Sequence, residues 1–234
     1  MYNPDSDFIV RLQQSFGEFF IWYTWLMLLK FLSVDFQKDF TSEDGAHYMP
    51  GPSVSFIKQT FVPYLRENNI RVAEIVSDYR QPRPGRRGDF CKPGTKGYES
   101  EIPKDVRQPS VWVKAANTPL WTRENAGIEH KEPGIPYEDP ARFSAWLSET
   151  IGAPSDVDVV VVGLTLDRCV LCTVQELYMR GYKTMILEEA TDPASGDPVE
   201  KDAMLRGAII NNWSVPVSWN TLQEELRQGT FQLR

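Results

Sequence analysis

Apolar and polar positions alternate along this chain in blocks that switch between the two-residue period of a strand and the 3.6-residue period of a helix. Residues 29–34 form a short apolar run closed by Asp35. Residues 55–68 then place Ile57, Phe61, Val62 and Leu65 on one helical stripe, so the two segments predict a βα step. Residues 70–76 and 111–114 read as a second and a third strand, and residues 141–151 put Phe143, Trp146, Leu147 and Ile151 on one helical face. The stretch VDVVVVGL at 157–164 is a nearly continuous β-branched run, the pattern of a central parallel strand buried on both faces. A helix is expected from near Cys169 to Gly181, where glycine supplies the left-handed cap. A strand at 184–190, a helix at 199–213, a strand at 215–219 and a helix at 221–227 complete the pattern.

Six strands separated mainly by helices predict right-handed crossovers and an α/β domain, a three-layer αβα sandwich around a six-stranded, mostly parallel, Rossmann-like sheet. Ligands in such sheets bind outside the carboxyl ends of the strands. Residues 79–106 leave the carboxyl end of the second strand without periodicity and rich in Pro, Gly and Arg. They predict a long loop of the kind that carries function.

Residues 19–29, FFIWYTWLMLL, look membrane-like, but the run falls short of the about 20 residues a spanning helix needs. Asp5, Asp7 and Glu18 stand against Arg11 ahead of it, and no small-residue cleavage site follows, so a signal peptide is not expected either. The reading is a buried helix, or a surface covered by another subunit, within an apolar N-terminal extension at 1–27 ahead of a single domain at 28–234.

Composition narrows the partners. With 25 Lys and Arg against 32 Asp and Glu, the chain carries a formal charge of −7 and would repel a phosphate backbone, which argues against nucleic acid. Two histidines, His47 and His130, and three cysteines lack the close spacing of a zinc site, so neither a metal nor another cofactor is expected. The odd cysteine count suits a reducing, cytoplasmic setting and leaves room for one working thiol.

Three residues fall where such a sheet gathers its chemistry: Asp35 after the first strand, Lys114 ending the third and Cys169 just past the fourth. Singly, each is more often a cap, a solvated end or a core residue. Together they predict a nucleophile. Helix-terminal NH groups and a nearby ammonium would stabilise a Cys169 thiolate, Asp35 would take the thiol proton, and Lys114 would orient and balance charge. Cys172, one turn further on, and Cys91, on the long loop, read as packing residues.

These residues carry a resemblance. LSVDFQKDF at 32–40, SVWVKAANTPLW at 110–121 and VVVVGLTLDRCVLCTVQELYMRGYKTMILEEATDP at 159–193 resemble the three signature blocks of the isochorismatase-like cysteine hydrolases, over roughly residues 28–218. The resemblance implies that family's fold and a triad of Asp35, Lys114 and Cys169. It also implies a non-proline cis peptide between Leu164 and Thr165, and an oxyanion hole from the backbone NH groups of Thr165 and Cys169. Metal-binding nicotinamidases of the family carry an Asp-aromatic-His stretch where this chain reads Ser77-Asp78-Tyr79-Arg80, so their ligands are missing. Tyr79, Arg80 and Trp121 are expected to contact substrate. Arg80 or a neighbour on the basic stretch 80–96 would bind a carboxylate, for which the guanidinium fork is suited.

The reaction expected is hydrolysis of a small amide or ureido C–N bond through a thioester on Cys169. The alternatives are vinyl ether hydrolysis of the isochorismatase type, giving 2,3-dihydro-2,3-dihydroxybenzoate and pyruvate from isochorismate with Asp35 as acid, or a non-catalytic member of the fold. Family members form homo-oligomers, and one is expected here.

Overall fold

The computed structural model describes residues 27–49, 51–83, 85 and 88–233. Most of the apolar run at 19–29 and nearly all of the proposed extension at 1–27 lie outside the described residues. The strands are β1 (Met27–Val34), β2 (Val72–Ser77), β3 (Arg107–Lys114), β4 (Trp121–Thr122), β5 (Tyr137–Glu138), β6 (Val157–Leu164), β7 (Lys183–Asp192), β8 (Val215–Val217) and β9 (Phe231–Leu233). The helices are α1 (Lys38–Thr41), α2 (Ser53–Phe56), α3 (Val62–Glu67), α4 (Pro140–Thr150), α5 (Leu171–Met179), α6 (Pro198–Arg206), α7 (Ala208–Asn211) and α8 (Trp219–Arg227). A π-helical turn at Ile57–Phe61 joins α2 to α3, and another at Leu166–Val170 leads into α5.

The main sheet runs β3-β2-β1-β6-β7-β8, with β9 added beside β1. All of its pairings are parallel. β6 sits at the centre and is buried along its whole length, as its β-branched run dictates. Two apolar layers cover the faces. Phe143, Trp146, Leu147, Val170, Val174 and Leu177 pack on one side, and Ile57, Phe61, Leu65, Trp219 and Leu222 on the other, which completes the three-layer α/β sandwich.

The differences from expectation lie in short elements. The sheet has a seventh strand, β9, which pairs with Met27–Leu29 while β2 pairs with Leu32–Val34, so the two share one edge of β1. The helix expected at 199–213 is broken at Gly207, which lies between α6 and α7. β4 and β5 form a small antiparallel hairpin outside the sheet. Among the described residues, the loop after β2 holds only a 3-10 turn at Lys96–Tyr98 and isolated bridges.

Candidate active site

The carboxyl ends of β1, β2, β3 and β6 converge, and side chains from all four meet at one point. Asp35 follows β1 with φ 52°, a left-handed conformation that non-glycine residues adopt sparingly and that gathers at functional sites. Gly163 on β6 has φ +116°, and a Cβ there would stand 2.0 Å from the Val34 carbonyl oxygen. Only glycine therefore lets β6 approach β1 this closely, just where Asp35 begins. The next peptide, Leu164–Thr165, is cis, as the resemblance implies, and Cys169 follows on the π-helical turn.

Lys114, at the end of β3, is the hub. Its Nζ lies 2.7 Å from Asp35 Oδ2, 2.8 Å from Ser77 Oγ, 2.7 Å from the Tyr79 hydroxyl and 3.0 Å from the Ala116 carbonyl oxygen. Cys169 Sγ is 3.4 Å from the same nitrogen and 3.4 Å from the Tyr79 hydroxyl. Ser77 in turn donates to Asp35 Oδ1 at 2.8 Å. Gln37 fastens the end of β2 by accepting from the Ser77 backbone NH at 2.7 Å and donating to the Ser77 carbonyl oxygen at 3.1 Å. Asp35, Ser77 and Lys114 are wholly buried.

Burial decides the charge states. Burial and the Asp35 carboxylate push the Cys169 thiol up to about 12, and Lys114 pulls the other way without prevailing. Desolvation thus favours the thiol and opposes the help that the ammonium gives the thiolate, which leaves Asp35 the part of proton acceptor. Burial opposes the charge on Lys114, but Asp35, Cys169 and Tyr79 together hold its ammonium well above the ordinary lysine range. Burial, with Cys169 adding to it, also raises the Tyr79 phenol well above its usual value.

Phe40, His47, Met49, Tyr79, Arg83, Phe90, Asn117, Thr165, Arg168 and Cys169 line a cavity of about 20 Å³ above the thiol, room for one water molecule. Two guanidinium groups belong to this wall. Arg83 stacks on Tyr79 and Phe90, its Cζ 4.3 and 4.6 Å from their ring centroids. Arg168 is paired with Asp167 at 3.3 Å.

Of the residues expected to contact substrate, Tyr79 reaches the cavity and two do not. Arg80 is turned away: its guanidinium holds both Asp78 oxygens, at 2.9 and 2.6 Å, and donates to the carbonyl oxygens of Asn125, Ile128 and Lys131. Every face of its fork is occupied, so it clamps the loop at 125–131 and offers nothing to a carboxylate. Trp121 instead donates from its indole to Glu138 at 2.9 Å and is not among the residues lining the cavity. Sequence reasoning passed over Ser77, Phe40, His47, Phe90, Asn117 and Arg168. Ser77 and Tyr79 could have been found together, because residues two apart at a strand end share a face.

No protein-family model matches the chain, and no curated protein does. Solved structures do. An isochorismatase family protein from Desulfovibrio vulgaris superposes with a TM-score of 0.60 at 16% identity, over 86% of this chain and 99% of that one. N-carbamoylsarcosine amidase from Thermoplasma acidophilum gives 0.52 at 19% identity, over 82% and 96%. The pyrazinamidase of Pyrococcus horikoshii in complex with zinc gives 0.54 at 18% identity, over 82% and 99%. At these identities the likeness establishes the fold, which is that of the isochorismatase-like hydrolases. A metal such as the zinc of that pyrazinamidase does not fit here: among the described residues no three His, Cys, Asp or Glu come together, and Asp78 gives both oxygens to Arg80. No helix among the described residues is long and apolar enough to cross a membrane.

Proposed function

We propose that this chain is a cysteine hydrolase of the isochorismatase-like family, acting on a small amide or ureido C–N bond next to an acidic group. The observation that carries the reading is the single buried network in which Lys114 Nζ touches Asp35 Oδ2 at 2.7 Å and Cys169 Sγ at 3.4 Å. Fold likeness to an amidase and a pyrazinamidase supports C–N chemistry, and the pairing of thiol with carboxylate supports covalent catalysis.

In this mechanism Asp35 takes the Sγ proton as the sulfur attacks the carbonyl carbon. A resting thiol suits that step, since proton and bond move together and no buried thiolate must be held in advance. Backbone NH groups of Thr165 and Cys169 meet the developing oxyanion, the kind of preorganised contact worth roughly 3 kcal/mol per donor. The Thr165 carbonyl is already held by the NH groups of Arg168 and Val170, each at 3.1 Å, which fixes the turn. Asp35 then returns the proton to the leaving nitrogen, the C–N bond breaks, and ammonia or an amine departs from a thioester. Water attacks the thioester carbon, Asp35 takes its proton, and that proton passes to the departing sulfur as the acid is released. Lys114 stays charged throughout and keeps Asp35 in place.

The acidic group of the substrate faces Arg83 and Arg168, which both line the cavity, in place of Arg80. A panel of neutral and acid-bearing amides and ureides, with isochorismate included, tests the reading. Turnover of acid-bearing C–N substrates that disappears in Cys169→Ala is expected. Turnover of isochorismate alone, unaffected by Cys169→Ala, would replace it with vinyl ether hydrolysis.

A further inference from the structure

The hydroxyl of Tyr79 has no part in the chemistry above, although it touches both the ammonium and the sulfur. Its place is set from the backbone upward. Ser77 pairs with Lys114 in the register of β2 on β3, and the Asp78 NH donates to the Lys114 carbonyl oxygen at 2.8 Å, so Tyr79 leaves β2 beside the end of β3. An isolated bridge ties its backbone to Phe90, whose ring meets the Tyr79 ring edge-on at 4.9 Å and 75°. With Phe40, Met49, Cys91 and Leu164 in the same apolar cluster, the residue is 2% exposed. Packing of this kind needs the ring alone, and a phenylalanine would serve it. A hydroxyl buried in such a cluster calls for a reason of its own.

Counting protons supplies that reason. Among the described residues, the side chains that hydrogen-bond Cys169 Sγ are Asp35, Lys114, Tyr79 and Asn117. Asp35 receives the thiol proton, and Asn117 presents a carbonyl oxygen at 3.7 Å, so both accept. Lys114 has three protons to donate and no lone pair. Asp35 Oδ2 at 2.7 Å, the Tyr79 hydroxyl at 2.7 Å, Ser77 Oγ at 2.8 Å and the Ala116 carbonyl oxygen at 3.0 Å already compete for them, since Ser77 gives its own proton to Asp35 Oδ1. Sulfur, at 3.4 Å, comes last in that order. Tyr79 is in the opposite state. Its oxygen accepts from Lys114, which leaves the phenolic proton to point elsewhere. Asn117 Oδ1 at 3.5 Å lies beyond the usual range between two oxygens, whereas 3.4 Å suits the larger sulfur atom. Accepting from an ammonium also polarises the O–H bond and strengthens its donation.

We propose that Tyr79 is a further catalytic residue of this site, its phenol donating the hydrogen bond that meets the electron pair of the Cys169 sulfur when the thioester breaks. The proposal rests on the cysteine-hydrolase reading above. Water adds to the thioester carbon, Asp35 takes its proton, and the C–S bond then breaks with both electrons going to Sγ. Tyr79 holds the thiolate through its hydrogen bond until Asp35 passes the proton to the sulfur. The phenol keeps its own proton throughout, because burial, with Cys169 adding to it, raises it well above its usual value. The same bond serves the attack, when Sγ gives its proton to Asp35. Its sense agrees with the charge balance at the thiol, where the Tyr79 hydrogen bond favours the thiolate against desolvation.

Alkylation of Cys169 tests the bond without any substrate. The full-length parent and Tyr79→Phe are treated with iodoacetamide at about pH 9 and the Cys169 peptide is followed by mass spectrometry. Tyr79→Phe still leaves Lys114 the oxygens of Asp35, Ser77 and Ala116 for its protons. It is expected to react about threefold to tenfold more slowly, the lost hydrogen bond to a charged group being offset in part by the greater nucleophilicity of a more basic thiolate. A tyrosine that only packs predicts the opposite, since a loosened wall admits the reagent faster. In Cys169-dependent turnover of a C–N substrate, Tyr79→Phe should lower kcat about tenfold or more with KM held within about twofold. Should Tyr79→Phe fail to fold, Tyr79→3-fluorotyrosine decides: its more acidic phenol is the stronger donor, and faster alkylation than the parent is expected. An equal or faster rate in Tyr79→Phe, or an equal or slower one in the fluorinated variant, overturns the proposal. The two readings fail separately. Undiminished turnover in Cys169→Ala ends the cysteine-hydrolase reading and the catalytic role with it, whereas Cys169-dependent turnover that Tyr79→Phe leaves intact ends the role of Tyr79 alone.

Discussion

The Lys114 ammonium and the Asp35 carboxylate meet at 2.7 Å with both side chains wholly buried, so neither can lose its partner cheaply. Lys114→Met strands a carboxylate in the core and is expected to cost about 3–5 kcal/mol. Adding Asp35→Leu should recover part of that loss, since the pair is removed together. Urea unfolding of the two singles and the double measures the coupling, and strictly additive losses would contradict it.

Cys169 gives the protein a pH signature. Its thiol is pushed up to about 12 in the fold from an ordinary 9.0, so the unfolded chain loses this proton first as pH rises. The contribution to stability is whole below about pH 9 and is lost as pH climbs towards 12. Cys169→Ser should therefore show a shallower fall in stability between about pH 9 and pH 11 than the parent protein. Alkylation by iodoacetamide should also climb about tenfold per pH unit through pH 9 without levelling. Parallel stability curves, or a plateau near neutral pH, would contradict the burial argument.

The main strands were legible because parallel sheets bury them on both faces, and VDVVVVGL at 157–164 can hardly read otherwise. Asp35, Lys114 and Cys169 were legible for a related reason, since strand ends are readable and the carboxyl ends of neighbouring strands must meet. What escaped was set by tertiary contact. β9 is three residues that pair only because β2 leaves the start of β1 uncovered. Arg80 looked available because its sequence neighbours are basic, whereas its partners, Asp78 and the carbonyls of the 125–131 loop, depend on how a distant segment folds back. The charge state of Cys169 likewise depends on burial that no spacing encodes.

Gly163→Ala should be among the most damaging single-methyl changes in the chain. The added Cβ would lie 2.0 Å from the Val34 carbonyl oxygen at a positive φ, against backbone that cannot yield without parting β6 from β1. A loss above about 3 kcal/mol is expected, measured by thermal or urea unfolding. A near-neutral variant would mean the two strands are not in this contact.

Arg80 and Arg83 should separate stability from specificity. Arg80→Met leaves Asp78 buried without its partner and is expected to destabilise by about 3–5 kcal/mol. Arg83→Ala should leave stability close to the parent's but raise KM for acid-bearing substrates about tenfold, with neutral analogues unaffected. Equal effects on both substrate classes would remove Arg83 from substrate recognition.

The most direct test is to trap the acyl-enzyme. Rapid acid quench during turnover of an amide or ureide substrate, followed by peptide mass spectrometry, should find the acyl group on the peptide carrying Cys169. The adduct should be released by hydroxylamine and absent from Cys169→Ala, which should be inactive. Undiminished C–N hydrolysis by Cys169→Ala, with no adduct on the parent protein, would contradict covalent catalysis at this thiol.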